Sequence, residues 1–245
     1  MSTIRTWRIN NADVPVKIVY ENRRNARFSM TSSSFVLRIP AFETEQTKAE
    51  LEESGKRWIE STISRKPDLL NLFAQRTYRD GDTIRTFDRE IQIAVNRQPD
   101  RKGLSLSLKS NILEINTGEP EVKELEGEGV SKTVQKAFAK IYTMLVTKRA
   151  LDLAEQKELP TFEKLRLTYM SSRWGSCTSK KGNLSINTKL VLAPAEVLDS
   201  VIIHELGHLV YADHSRNFWK LIGEKDPNHR QHSNWLKTNG TRLQL

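Results

Sequence analysis

The sequence holds a single cysteine, Cys177, among 245 residues. One thiol excludes an intramolecular disulfide and any structural zinc site built on two or more cysteines. A reducing, cytoplasmic setting is therefore expected. Long apolar runs are also missing. No stretch approaches the roughly 18–20 residues that a membrane span requires, and residues 1–8 contain no apolar core of a signal peptide. Neither membrane insertion nor export is expected. No internal repeat or low-complexity tract stands out, and histidine is absent from the first 203 residues.

What is present is an ordinary globular composition with a basic excess. Lys and Arg number 39 against 30 Asp and Glu, for a net charge of +9, and hydrophobic residues make up 37%. This length suffices for one large domain or two small ones with a substantial core. The charge is not concentrated. It runs +6 over residues 1–110, −5 over 111–130 and +8 over 131–245. Such a spread describes a solvated mixed-sign surface better than a nucleic-acid patch. A nucleic-acid partner stays open as the competing class, with no DNA-reading motif in its favour. Nothing in the sequence sets an oligomeric state.

Punctuation and periodicity divide the chain. Val16–Tyr20 and Ser34–Ile39 are β-like runs flanking an Arg/Asn cluster at 23–27, and they predict a β hairpin. A helical pattern runs from Glu43 to about Ile63, with Pro67 just beyond. Thr83–Phe87, Glu90–Val95, Leu104–Leu108 and Ile112–Ile115 predict a small antiparallel β unit, with turn residues between them. Residues 119–130 are rich in Glu and Gly and predict a linker. Ser131 is a candidate cap for a long helix to about Gln156. Strands are expected at Leu165–Tyr169 and Asn183–Leu192, and a helix from Pro194 to about Val210. The expected class is α+β: a β-rich N-terminal module with one helix over 1–118, an acidic linker over 119–130, and a second domain over 131–245.

All five histidines fall in the last 42 residues, and His204-Glu205-Leu-Gly-His208 lies inside the last of those helices. At about 100° per residue, His204 and His208 stand about 40° apart around the axis and one turn apart along it. Two imidazoles so placed can share one zinc ion, Zn2+. Glu205, one residue along, can reach a water on that ion without ligating it, as metal-assisted peptide hydrolysis requires. Chance alone gives this pattern roughly 0.01 times in a chain of this composition. The apolar flanks Val201, Ile202, Ile203, Leu209 and Val210 argue for a packed setting, where unpaired imidazoles would be costly.

An open catalytic zinc site needs a third protein ligand. His214 is the leading candidate, but on a continued helix it would point about 120° away from the shared face. The helix must then stop near Tyr211–Asp213 and the chain must turn back. Asp213 suits the turn and Ser215 suits the cap of a following helix. Glu224, His229 and His232 are the alternative ligands. The spacing to His214 equals that of metzincins, yet Tyr211 stands where those have Gly, and no methionine follows Met170.

Several further segments accompany the motif: Arg173-Trp-Gly-Ser-Cys177, Gly182-Asn-Leu-Ser-Ile-Asn187, Leu192-Ala-Pro194, His214-Ser215, Phe218-Trp219 and Asn234-Trp-Leu236. Together they resemble the YgjP-like metallopeptidase family, which is related to the SprT-like zinc proteases. The motif-bearing match covers about residues 165–240. The resemblance implies a zincin-like catalytic domain in which His204, His208 and His214 ligate zinc and Glu205 acts as the general base on a protein or peptide substrate. The SprT-like relationship also implies the alternative of a DNA-associated module. One departure is the pair Ser171-Ser172, where the family often has a basic residue and Thr.

Tyr211 and Arg173 are candidates for a second donor to the tetrahedral oxyanion. Asn183–Lys189 alternates as an exposed edge strand would, and in a zincin such a strand can pair with an extended peptide. Cys177 has no histidine nearby in sequence, so a small packed residue is the better reading of it. Trp174, Trp219 and Trp235 fit core or pocket wall.

Overall fold

A computed structural model describes residues 2–31, 34–73, 76–98, 100–118, 124–125 and 128–245. The chain divides into two compact units, Met1–Ala74 and Gln75–Leu245.

The first unit contains β1 (Ser2–Ile9), β2 (Ala12–Glu21), β3 (Arg27–Met30), β4 (Phe35–Pro40) and the helix α1 (Glu45–Arg65). Asn10 and Asn11, at φ 50° and 63°, make the two-residue turn from β1 to β2, the left-handed geometry that Asn tolerates and tight hairpins demand. The sheet order is β1-β2-β4-β3. The two runs expected to form a hairpin are neighbours but run parallel, Val16 opposite Phe35. The chain reverses twice between them, and it is β3 that pairs antiparallel with β4. Val14, Val16 and Ile18 of β2 and Phe35, Leu37 and Ile39 of β4 form one core with Ile59 and Ile63 of α1. Thr44 caps α1, its hydroxyl accepting from the Thr47 N–H at 3.2 Å.

The second unit opens with β5 (Tyr78–Arg79), β6 (Thr83–Arg85), β7 (Glu90–Arg97), β8 (Leu104–Lys109), β9 (Ile112–Thr117) and β10 (Glu124–Leu125). The expected strands are all present, but the sheet is mixed rather than antiparallel. Its order is β6-β7-β9-β8 with β7 parallel to β9. That topology repeats the first sheet, so a structural repeat exists where the sequence shows none. Of the expected linker, residues 119–123 and 126–127 lie outside the described residues. Leu125 is buried and pairs opposite Tyr78 through β10 and β5.

The helix α2 (Glu128–Gln156) follows. Its Val134, Phe138, Tyr142 and Val146 recur every four residues, and they join Ile84, Ile93 and Ile115 of the sheet in one core. The break between units therefore falls before β5, not at the linker. The strands over 78–117 bury their apolar face against α2 and belong with the C-terminal elements.

Beyond α2 come β11 (Lys164–Thr168), β12 (Gly175–Thr178), β13 (Asn183–Asn187) and the helices α3 (Ala195–Gly207), α4 (Arg216–Lys225) and α5 (His229–Asn239). The strand over 183–187 is not an edge. It is the middle of three, parallel to β11 and antiparallel to β12. Its polar residues tolerate burial because they have partners: Ser185 accepts from Arg166 Nε at 3.0 Å, and Asn187 Nδ2 donates to the Met170 and Arg173 carbonyls, both at 2.7 Å. Arg149 of α2 ties down α3 through a two-pronged ion pair with Asp199. Among the described residues, no helix is long and apolar enough to cross a membrane.

Candidate metal centre

Helix α3 buries Val197, Leu198, Ile202, Ile203 and Leu206, and this packing fixes which face His204 presents. The helix ends at Gly207, earlier than expected, and His208 sits at its C-cap in αR conformation. Gly207 lets α3 pack closely on α4: a Cβ there would lie 2.7 Å from Ile222 Cδ1. The chain turns through Val210–His214, and Asp213 Oδ1 accepts from the Ser215 N–H at 3.1 Å. Ser215 then caps α4, its hydroxyl accepting from the Phe218 N–H at 3.4 Å. The early helix stop, the Asp213 turn and the Ser215 cap bring His214 back to the shared face.

The side-chain nitrogens of His204, His208 and His214 all lie within 4.8 Å of one another, and His204 Nε2 is 3.1 Å from His214 Nε2. Two nitrogens bound tetrahedrally to one metal ion at about 2.0–2.1 Å stand about 3.3 Å apart. The second nitrogen of His208 settles its tautomer. Nδ1 is 3.0 Å from the Tyr211 carbonyl oxygen, which can only accept, so Nδ1 carries the proton and Nε2 offers a lone pair. Burial and the neighbouring His208, His214 and His229 push the His204 pKa down to about 4, leaving this imidazole neutral and able to donate its lone pair. Three imidazoles whose nitrogens converge on one point fit a metal ion.

Helix α4 holds these rings with aromatic faces. Phe218 stacks on His208 with centroids 4.5 Å apart and meets His204 edge-on at 4.9 Å. Trp219 stacks on His214 at 5.6 Å and on His229 at 5.7 Å. The sequence marked Phe218-Trp219 as part of a pattern without saying what the pair does. Its amphipathic spacing just after the Ser215 cap is the signal that could have placed it.

Glu205 is 5% exposed. Burial raises its pKa to about 8, against the opposing positive charge of Arg173. Gly175 of β12 makes room for it: a Cβ on Gly175 would stand 2.4 Å from Glu205 Oε1. This contact explains the glycine of Arg173-Trp-Gly-Ser-Cys177. Asn187 anchors the same segment, since its amide binds the Arg173 carbonyl and its N–H binds the Trp174 carbonyl at 2.8 Å.

The remaining candidates separate clearly. His229 and His232 lie outside the three-histidine group, and so does the exposed Glu224. His232 Nδ1 is 3.2 Å from Asp226 Oδ2. Tyr211 contributes its backbone carbonyl to His208 and packs its ring on the core. Burial raises the Cys177 pKa, with the Glu205 charge acting in the same sense, which opposes a thiolate. Trp174 and Trp235 pack on the core, and Trp174 and Trp219 line a cavity of about 720 Å3 with His204 and Glu205 on its wall.

No curated protein and no solved structure matches the chain. A family model described as YgjP-like, metallopeptidase domain matches residues 24–239. That span includes the three histidines, Glu205, the Gly175 segment and the aromatic residues of α4, and the chain belongs to the YgjP-like metallopeptidase family.

Proposed function

We propose that the protein is a zinc-dependent peptide hydrolase in which His204, His208 and His214 hold the ion and Glu205 is the general base. The observation that carries this reading is the convergence of three imidazole nitrogens within 4.8 Å, next to a buried carboxylate one residue along the same helix. Three imidazole nitrogen donors and no thiolate suit zinc in an open site that leaves a position for water. Bound there, zinc supplies Lewis acidity, which makes water nucleophilic near neutral pH and polarises a carbonyl.

The protein's own residues supply the rest. Held ionised against its burial by the charge of the bound ion, Glu205 would take the proton of the attacking water as the C–O bond forms. It returns that proton to the departing amine nitrogen as the C–N bond breaks. Its burial and the close fit against Gly175 keep the carboxylate in one position throughout. The His208 Nδ1–H bond to Tyr211 and the stacking on Phe218 hold the imidazoles in a fixed orientation. Arg173, whose charge is felt at Glu205, is the better candidate for a second oxyanion donor, because the Tyr211 ring packs on the core. β12 is an edge strand of its sheet and carries Gly175; an extended substrate adds to this edge through main-chain hydrogen bonds. The catalytic part is a zincin-like arrangement of β11–β13 with α3–α5, acting on protein or peptide substrates.

Zinc content and casein or peptide cleavage in the wild type and in Glu205→Gln test the reading. The expected result is one zinc per chain in both, with cleavage reduced by about 10²–10⁴-fold in the variant. A wild type that binds zinc and cleaves nothing across a broad panel of unfolded proteins overturns it.

A further inference from the structure

The cavity beside Glu205 has two unlike walls. One is apolar and aromatic: Val201 of α3, Trp219 and Ile222 of α4, and Trp174 leading into β12. The other is a face of α5, where Arg230, Ser233, Asn234 and Lys237 line the cavity. These four positions follow i, i+3, i+4 and i+7, so they form a single stripe on the helix. It carries two cations and two neutral hydrogen-bonding groups. Glu205 is the sole carboxylate among the described residues that line the cavity. Among the described residues, neither Arg230 nor Lys237 forms an ion pair, unlike the cations Arg149 with Asp199 and Lys225 with Glu158 in the same unit. A pair of unneutralised cations on one helix face, opposite an apolar wall and beside the reacting centre, is complementary to a ligand with an apolar body and an anionic end.

We infer that the α5 stripe receives a carboxylate of the substrate, with Arg230 and Lys237 supplying the charge and Ser233 and Asn234 the neutral hydrogen bonds. The site then favours peptides whose residue on the α5 side of the scissile bond is acidic, or whose chain ends there in its own carboxylate. This assignment deepens the peptide-hydrolase reading and rests on it. Arg230 and Lys237 are specificity residues, acting on affinity for one class of peptide and not on proton transfer.

The test measures binding, by fluorescence anisotropy, to zinc-loaded Glu205→Gln protein, which holds peptides without consuming them. Three labelled peptides of one apolar sequence are compared: one with an internal Glu and an amidated C-terminus, its Gln counterpart, and the Gln peptide ending in a free carboxylate. Two cations at a solvent-facing wall predict about fivefold to tenfold tighter binding of a carboxylate-bearing peptide than of the amidated Gln peptide. The preference shrinks as salt rises, because exposed charges are screened within about 10 Å at 0.1 M. Tight binding of the Glu peptide alone identifies the side-chain carboxylate, and tight binding of the third peptide identifies the chain terminus. Arg230→Gln with Lys237→Gln brings the preference to about one. Both side chains are exposed, and circular dichroism and zinc content verify that the variant is folded. Equal binding of all three peptides, or a preference that survives the double substitution, overturns the assignment. If the wild type hydrolyses nothing while the preference holds, the hydrolase reading falls alone. If hydrolysis holds while binding is indifferent to charge, the α5 assignment falls alone.

Discussion

In both units two antiparallel strand pairs meet at a parallel central pair, β2 with β4 and β7 with β9. A long helix, α1 or α2, follows the fourth strand, with the short β10 intervening in the second unit. Both sheets bury branched aliphatic residues against that helix. The two differ in what comes next. The first unit closes with a short 3-10 turn at Pro67–Leu72 and holds none of the five histidines. The second continues into β11–β13 and α3–α5, and every candidate ligand and the buried Glu205 stand on that addition. One arrangement of strands and helix thus serves twice as a packed layer, and the candidate site lies on the elements added to the second copy.

The largest expected effects separate stability from chemistry. Phe35 in the first core and Phe138 in the second are both fully buried, so Phe35→Ala and Phe138→Ala each cost about 3–5 kcal/mol. Phe35 belongs to a cluster without a metal ligand, and its variant keeps one zinc per chain under native conditions. Phe138 shares a cluster with Ile202, Ile203 and Leu206 of α3, and its variant releases zinc at lower urea concentration than the wild type. Urea titrations followed in parallel by circular dichroism and metal release check this, and identical release profiles for the two variants break the contrast.

A smaller effect isolates the site within the second unit. Gly175→Ala puts a methyl 2.4 Å from Glu205 Oε1, closer than the two can stand. The displaced carboxylate lowers kcat about a hundredfold, while zinc stoichiometry stays at one. An undiminished kcat shows that the position of Glu205 does not matter. The smallest effect concerns the return of His214: Ser215→Ala removes the α4 cap at a cost of about 1 kcal/mol. It weakens zinc affinity severalfold in a competition titration, and unchanged affinity separates the cap from the metal site.

What could be read from the sequence was local. The one-turn spacing of His204 and His208, the Asp213 turn and the Ser215 cap each depend on a few neighbouring residues, and all three appear in the fold. Pairings between distant residues were not legible. Nothing in Val16–Tyr20 or Ser34–Ile39 says that the strands run parallel, because β3 intervenes and the choice is made by sheet assembly. The alternation over Asn183–Lys189 suggested an edge because Ser185 and Asn187 are polar. Their burial is tolerated by partners at Arg166, Met170 and Arg173, which sequence cannot supply. The repeated sheet was hidden because topology constrains only which positions are apolar, and many side chains satisfy that. Gly175 was visible as part of a pattern, but its purpose required knowing that Glu205 packs on it.

The central claim, that three histidines hold one zinc beside Glu205, is tested most directly by an anomalous-scattering map at the zinc absorption edge from crystals of the purified protein. One peak per chain is expected, bounded by nitrogens of His204, His208 and His214. A metal-loaded crystal with its peak at His229 or His232, or with no peak at the three histidines, would contradict it.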